Sequence, residues 1–432
     1  MSSTVQVNEH YLDHVVALSE RSEVQASEDI MSGNGLKLVA KGGRIDARVR
    51  QRLLEHKLTK PLESLMQVVE SVATRRIDRV AAALLERHPL LSSICGEASA
   101  RLHMSTMNHL ILSPQLDSLL SVYASQSEGK LEHAVGVALL SAALIEDLQS
   151  QNAKPGTLML AGLMHDVGEL YIDPELLKPG QRLTPQQWKH IASHPIVGAK
   201  VLKDMPGAGP QVAQCVLHHH ERLDGFGYPQ GLTAESLPVM SQALAVAEML
   251  LGVLESGHHH AERAAMAIRL VPGEFNRRLL DRVVTAARGV QAKGATQEPQ
   301  TFDAADMAQR LGTLATTLAR FREARQRIQT EHASYGRDLR ALLDHALARG
   351  ERIRVSLAST GLESCSPEET LSRLQTMDGP ARLEVTLVVR ELQWRLGELE
   401  RQVTIRSEQL AGSDAARVRA LLSPTPKAEV AA

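Results

Sequence analysis

His219-His220-Glu221-Arg222-Leu223-Asp224-Gly225-Phe226-Gly227-Tyr228-Pro229 is the stretch on which the reading of this chain turns. It couples two adjacent imidazoles and a carboxylate to a glycine-rich turn closed by proline. Adjacent residues on a helix diverge by about 100° at 3.6 residues per turn, so His219 and His220 address two neighbouring points rather than chelating one. Outward from this stretch lie His194, the pair His165-Asp166, His133 and, on the other side, Glu248. Each interval holds about one helix and one connection. Each group can therefore stand on a different helix of a bundle and face one interior volume. Asp166, with two carboxylate oxygens, is the natural bridge between two ions. The expectation is a two-metal site built from His133, His165, Asp166, His194, His219, His220 and Glu248. Hydroxide generated between the ions is its nucleophile, and His165, Asp166 and Glu169 are the candidate catalytic residues.

Composition sets the bounds. The 432 residues leave room for roughly two to four domains. A hydrophobic share of 43% with 23% charged residues excludes a mainly disordered chain. Aromatic residues make up only 3%, so the core is aliphatic and suits helical packing. The net charge of −2 gives no basic excess for DNA or membrane lipid. Cys95, Cys215 and Cys365 are scattered and odd in number, which argues against a disulfide framework and for a reducing, cytoplasmic setting. The longest apolar run, Ala134 to Ile145, falls short of the roughly 20 residues a spanning helix needs. The N-terminus carries no signal-peptide pattern. Histidine is the anomaly: ten of the 18 lie between His133 and His260, which points to metal held by imidazole and carboxylate. His258-His259-His260 follow Gly257 and read as a solvated loop, and His218 as a neighbour of the true pair.

Residues 1–60 read as a small α+β module, in which Ser32-Gly33-Asn34-Gly35 turns a hairpin and a helix runs from Ile45 to His56. Residues 61–125 read as a helical connector and 126–292 as a helical domain. There, Thr184-Pro185-Gln186-Gln187 has the form of a capping box. Lys293 to Gln300 reads as a linker. In 301–410, Met307, Leu311, Leu314, Leu318 and Phe321 alternate in steps of 4 and 3, as do Val385, Val389, Leu392, Leu396, Leu399 and Val403. That is the seam of a coiled coil. Helices of this length are marginal alone, so the seam predicts a homodimer, with an internal hairpin as the alternative. Residues 411–432 read as a disordered tail.

His165-Asp166-Val167-Gly168, the segment from Leu183-Thr184-Pro185 to His194-Pro195-Ile196-Val197-Gly198, and the HHExxDGxGYP pattern at 219–229 resemble the HD-GYP domain. This is the branch of the HD metal-dependent phosphohydrolases that degrades cyclic di-GMP. The resemblance spans about 126–290. It implies an HD-type helical bundle and two divalent transition-metal ions, iron or manganese, on the seven residues above, with Glu248 where the family normally has Asp. It also implies a guanine pocket shaped by Gly225, Gly227, Tyr228 and Pro229, with Asp224 in the same loop, and opening of cyclic di-GMP to pGpG and GMP. The stretch from Glu28 to Gly42 and the helix after it resemble a small module that often precedes this domain.

The departures concern charge. Glu169 stands where the family has a phosphate-facing Lys and Gly136 where it has Arg. Gly129 removes the acid of trinuclear members, and Gly257 to His260 stand where the family has Arg-Pro-Tyr-Arg. A phosphodiester transition state wants cations. An intact metal site with a weakened substrate clamp is expected, in which Glu169 repels the phosphates and Glu169→Lys raises turnover; the alternative is that Glu169 is a metal ligand or salt-bridge partner already built into the site. Arg182 or Lys178 are candidates for the missing charge. Two further readings remain: a signalling scaffold that binds nucleotide or a partner protein with output through the C-terminal helices, and an HD phosphohydrolase acting on another nucleotide.

Overall fold

The computed structural model describes residues 4–71, 76–108, 110, 112–148, 154–178, 180–181, 183–255, 260–270, 272–292, 302–359 and 366–422. They fall into two units: Met1–Gly257 with Phe275–Val290, and His258–Glu274 with Gln291–Ala432. The chain thus leaves the first unit after residue 257, gives one segment to the second, and returns. A domain drawn at 126–292 crosses that division.

In the first unit, Asn8 caps the helix Glu9–Ser19 by accepting from the Tyr11 N–H. Ile30–Met31 pairs antiparallel with Lys37–Val39, around the glycine turn the sequence predicts, with Gly35 at φ +85°. The helix after it runs over Ala47–Glu55. One strand was not legible in the connector: Met66–Val68 pairs antiparallel with Val24–Ala26. Ser118 Oγ accepts the Val68 N–H at 3.0 Å, which ties this small sheet to the helix Pro114–Ala124.

The site is carried by the helices Glu128–Ile145, Pro155–Met164, His194–Lys203, Gly209–His218 and Val239–Glu255. Glu128–Ile145 is buried continuously from Ala134 to Ile145, as a helix that is apolar all round must be. It meets Pro155–Met164 closely, since a Cβ on Gly162 would lie 2.6 Å from Ala138 Cα. The Thr184 capping box is present in full, and Pro185 opens its helix.

The second unit is helical: His260–Leu270, Ala304–Glu331, Arg337–Ser359, Pro367–Thr376, Gly379–Ser407 and Gly412–Leu422. Val389, Leu392, Leu396, Leu399 and Val403 are buried within it, as are Met307, Leu311 and Leu314. Most of the seam is therefore covered inside one chain, the internal hairpin that the sequence left as the alternative, while Val385, Leu318 and Phe321 stay half-buried. The tail expected to be disordered forms the helix Gly412–Leu422, because Ala415, Val418 and Leu421 make a buried stripe. Its last ten residues lie outside the described residues. Glu274, fully buried, sits between Arg349 at 3.3 Å and Arg395 at 2.5 Å. Arg395 also donates to the Ala267 carbonyl at 2.7 Å. This charge group fixes the segment 258–274 to its own unit. No described helix is long and apolar enough to cross a membrane.

Candidate metal centre

The candidate ligands sit mostly at helix ends. His165 caps Pro155–Met164 at its C-terminus and Asp166 follows it. His194 opens its helix, and His219 closes Gly209–His218. Only His133 and Glu248 project from helix interiors. Gly168 lets the turn after Asp166 lie against the start of the His194 helix, since a Cβ there would stand 2.0 Å from the His194 carbonyl oxygen.

All seven residues converge, in two groups. Asp166, His194, His219 and His220 form one, and His133, His165 and Glu248 the other. The Asp166 carboxylate divides them. Its Oδ1 lies 3.3 Å from His194 Nε2 and 3.5 Å from His219 Nε2, and its Oδ2 lies 3.2 Å from His165 Nε2. Glu248 Oε2 is 3.1 Å from His165 Nε2 and 3.2 Å from His133 Nε2.

The outer ring nitrogens fix the tautomers. Nδ1 of His165, His194 and His219 lies 2.7, 2.8 and 2.6 Å from the carbonyls of Gly162, Ile191 and Val216, and His133 Nδ1 lies 2.9 Å from Glu255. A carbonyl only accepts, so Nδ1 carries the proton and Nε2 presents a lone pair. Those lone pairs meet head on: His194 and His219 Nε2 are 3.1 Å apart, His133 and His165 Nε2 3.2 Å. Facing lone pairs repel unless a proton or a metal ion lies between them. Glu248 Oε2 is also buried without a hydrogen-bond partner. A buried set of imidazole lone pairs and carboxylates in two groups fits two divalent transition-metal ions.

The electrostatics agree. Burial raises Asp166, but the imidazoles of His165, His194 and His219 hold it well below the usual carboxylate range. Burial likewise opposes Glu248, and His133 and His165 hold it low. Burial depresses His219 to about 4, so it is neutral and ready to ligate. Burial would lower His165, but Asp166 and Glu248 lift it to about 10. A cation between those carboxylates takes the place of that proton.

Beside this centre stands the glycine loop. Tyr228 stacks on His220, with centroids 4.6 Å apart, and meets the edge of Trp188 at 6.3 Å. A Cβ on Gly227 would lie 2.3 Å from the Arg222 nitrogen, so only glycine fits. Glu221, fully buried, accepts the N–H groups of Gln230, Gly231 and Leu232 at 2.6, 3.1 and 2.9 Å. It builds the loop rather than binding metal. Asp224 Oδ1 accepts the Phe226 N–H at 3.1 Å, a turn-forming use.

A family model described as the HD domain matches residues 114–284. Residues 114–284 form an HD domain. Over 168 residues the chain is 34% identical to a cyclic di-GMP phosphodiesterase of Pseudomonas aeruginosa, covering 38% of this chain and 40% of that protein. It is 34% identical over 118 residues to a cyclic di-GMP phosphodiesterase of Thermotoga maritima, covering 27% and 32%. It is 31% identical over 137 residues to a 3'3'-cGAMP-specific phosphodiesterase of Vibrio cholerae, covering 32% and 31%. The chain thus matches two fifths or less of each relative's length.

Within the HD domain, the charge departures take a different form from the one expected. Glu169 is not an uncompensated acid: Lys130, one turn before His133, forms an ion pair with it. Burial would lower the Lys130 ammonium, but Glu169 and Asp166 keep it raised. At Gly136 a Cβ would lie 2.7 Å from Leu251 Cδ1, the movable tip of a side chain on the Glu248 helix. Lys178 is paired with Glu175 at 2.6 Å on an exposed turn. Arg182, His258 and His259 lie outside the described residues, and His260 begins a helix of the second unit. Sequence reasoning missed three groups around the HD-domain ligands. Lys130 and Glu255 share helix faces with His133 and Glu248, at i−3 and i+7, a signal that was available. Tyr123, whose hydroxyl donates to Asp166 Oδ2 at 3.3 Å, gave none.

Proposed function

We propose that the HD domain is a metal-dependent phosphodiesterase that opens cyclic di-GMP to linear pGpG and on to GMP, at a two-ion centre holding iron or manganese. The observation that carries this reading is the Asp166 carboxylate, whose two oxygens face two separate groups of imidazole lone pairs. The cyclic di-GMP phosphodiesterases among the relatives suggest the substrate class. Two ions bound there would supply Lewis acidity toward a phosphoryl oxygen and acidify a water toward neutrality. The chain's own residues do the rest. His133, His165, His194 and His219 are oriented by their Nδ1 bonds before any ion arrives, so little reorganisation is needed. Asp166 keeps its charge and holds the two groups at a fixed separation. Tyr228, pinned by His220 and Trp188, offers an aromatic face to a guanine base. Glu221 holds the loop that places it.

The test is turnover by the full chain purified without oxygen, with metal content measured on the same sample. About two ions per chain and release of pGpG are expected, and Asp166→Ala should remove both metal and turnover. Protein that takes up neither iron nor manganese refutes the reading. Turnover of 3'3'-cGAMP in place of cyclic di-GMP moves the substrate but leaves the chemistry. A metal-loaded chain that binds cyclic di-GMP without opening it is the scaffold.

A further inference from the structure

Lys130 and Glu169 lie at the rim of the candidate centre, and the site geometry gives neither a role in holding metal. The ammonium is ion-paired with Glu169 and lies over the Tyr123 ring, 5.1 Å from its centroid. The same Tyr123 donates its hydroxyl to Asp166 Oδ2, the oxygen that faces the His165 group. Lys130 is thus anchored to the bridging carboxylate through one intervening ring. It is not sealed in: its side chain keeps 29% of its exposure and that of Glu169 17%. An ammonium has three N–H donors, and a paired one at a rim can turn a donor toward an incoming anion. The alternative place for a cation, residue 136, is a glycine packed against Leu251, and Lys178 is paired with Glu175 on an exposed turn.

We infer that Lys130 is the cation that meets the substrate's phosphodiester, and that Glu169 is the positioning residue that aims it. The charge expected at residue 169 is delivered from the His133 helix instead. The inference rests on the phosphodiesterase reading above and narrows it to one side chain. It also reverses the expectation for Glu169→Lys, which sets two ammonium groups against each other and releases Lys130 from its anchor.

Binding of a phosphorothioate analogue of cyclic di-GMP to the manganese-loaded full chain, measured by calorimetry, tests this without relying on turnover. Metal content and thermal unfolding are followed on each variant. Lys130→Met should weaken binding about ten- to a hundredfold, the worth of one charge-assisted hydrogen bond, with metal content unchanged. Glu169→Gln should weaken it less, and Lys130→Arg should keep most of it. The charge swap Lys130→Glu with Glu169→Lys should recover binding relative to Lys130→Glu alone. A merely structural ion pair predicts otherwise: the swap restores the melting temperature, while binding stays within twofold of wild type in every variant. That result overturns the inference, as does loss of metal from Lys130→Met. Wild-type protein that holds metal yet binds no cyclic dinucleotide overturns the phosphodiesterase reading itself, and this inference falls with it.

Discussion

Gly168→Ala is the sharpest probe of how the centre is assembled. The added Cβ would stand 2.0 Å from the His194 carbonyl oxygen and 2.8 Å from the Gly198 nitrogen. Both are backbone atoms of the His194 helix, and neither can rotate away. The turn carrying Asp166 and the helix carrying His194 must part by more than an ångström. Overpacking of this kind costs about 1–3 kcal/mol, which at about 2–4 °C for each kcal/mol is a fall in melting temperature readable by calorimetry. The site suffers more than the fold. Asp166 Oδ1 and His194 Nε2 are 3.3 Å apart, and a misplacement of about 1 Å costs on the order of a hundredfold in rate. Metal analysis should find the Asp166–His194–His219–His220 group depleted before the other. Gly252→Ala is the control. Nothing stands within 4 Å of its Cβ position, so the change should stabilise the helix by about 0.5–1 kcal/mol. A Gly168→Ala protein with wild-type melting temperature and metal content would refute the reasoning.

Glu221→Gln replaces an acceptor of three backbone N–H groups by a side chain with one oxygen and a clashing amide. It should lower stability by about 2 kcal/mol in denaturant titration, and an unchanged midpoint would count against the loop-clamp role. Metal affinity should fall with acid. Binding must displace the protons that the neighbouring carboxylates hold on His165, raised to about 10, and on His133, raised well above its ordinary value, so around neutrality each pH unit down lowers affinity about tenfold or more. His219, at about 4, adds no further cost above neutrality. Chelator competition between pH 6 and 8 measures the slope, and a flat response would exclude a protonated His165. Leu392→Asp with Leu399→Asp puts two charges into a stripe buried within the chain. The second unit should lose helicity cooperatively; a protein that stays fully folded and merely halves its mass in sedimentation would restore the intermolecular seam.

Most of the candidate ligands were legible because they are tied to a local signal, a helix end, a glycine or a proline, whereas His133 and Glu248 stand in helix interiors and showed only by their spacing. Gly168 and Gly227 report contacts of the backbone with its own near surroundings, and such contacts leave a mark on the sequence. Lys130 and Glu169 are 39 residues apart, and His133 and Glu255 are 122. Helix spacing places Lys130 beside His133 and Glu255 beside Glu248, but nothing local encodes which distant group each one meets, so the surplus acid at 169 was visible and its pairing with Lys130 was not. Met66–Val68 became a strand only because Val24–Ala26 offered an edge. The seam residues specify an apolar stripe without specifying whose surface covers it. The same holds for Ala261, Ala264, Ala267 and Ile268, a buried stripe that reads identically whichever unit takes it.

That last segment bears on how the protein can be cut. The second unit is joined to the first by three crossings of the chain, near residues 257, 274 and 290, rather than by a single hinge. A truncation after residue 292 would not yield a self-sufficient fragment. It would strip the cover from Ala264 and Ala267 and leave Glu274 without Arg349 and Arg395, exposing an unmatched seam on the surviving piece. The separable module is a chain with 258–274 excised and its ends rejoined, and the C-terminal helices are spliced into the chain's fold rather than appended to it.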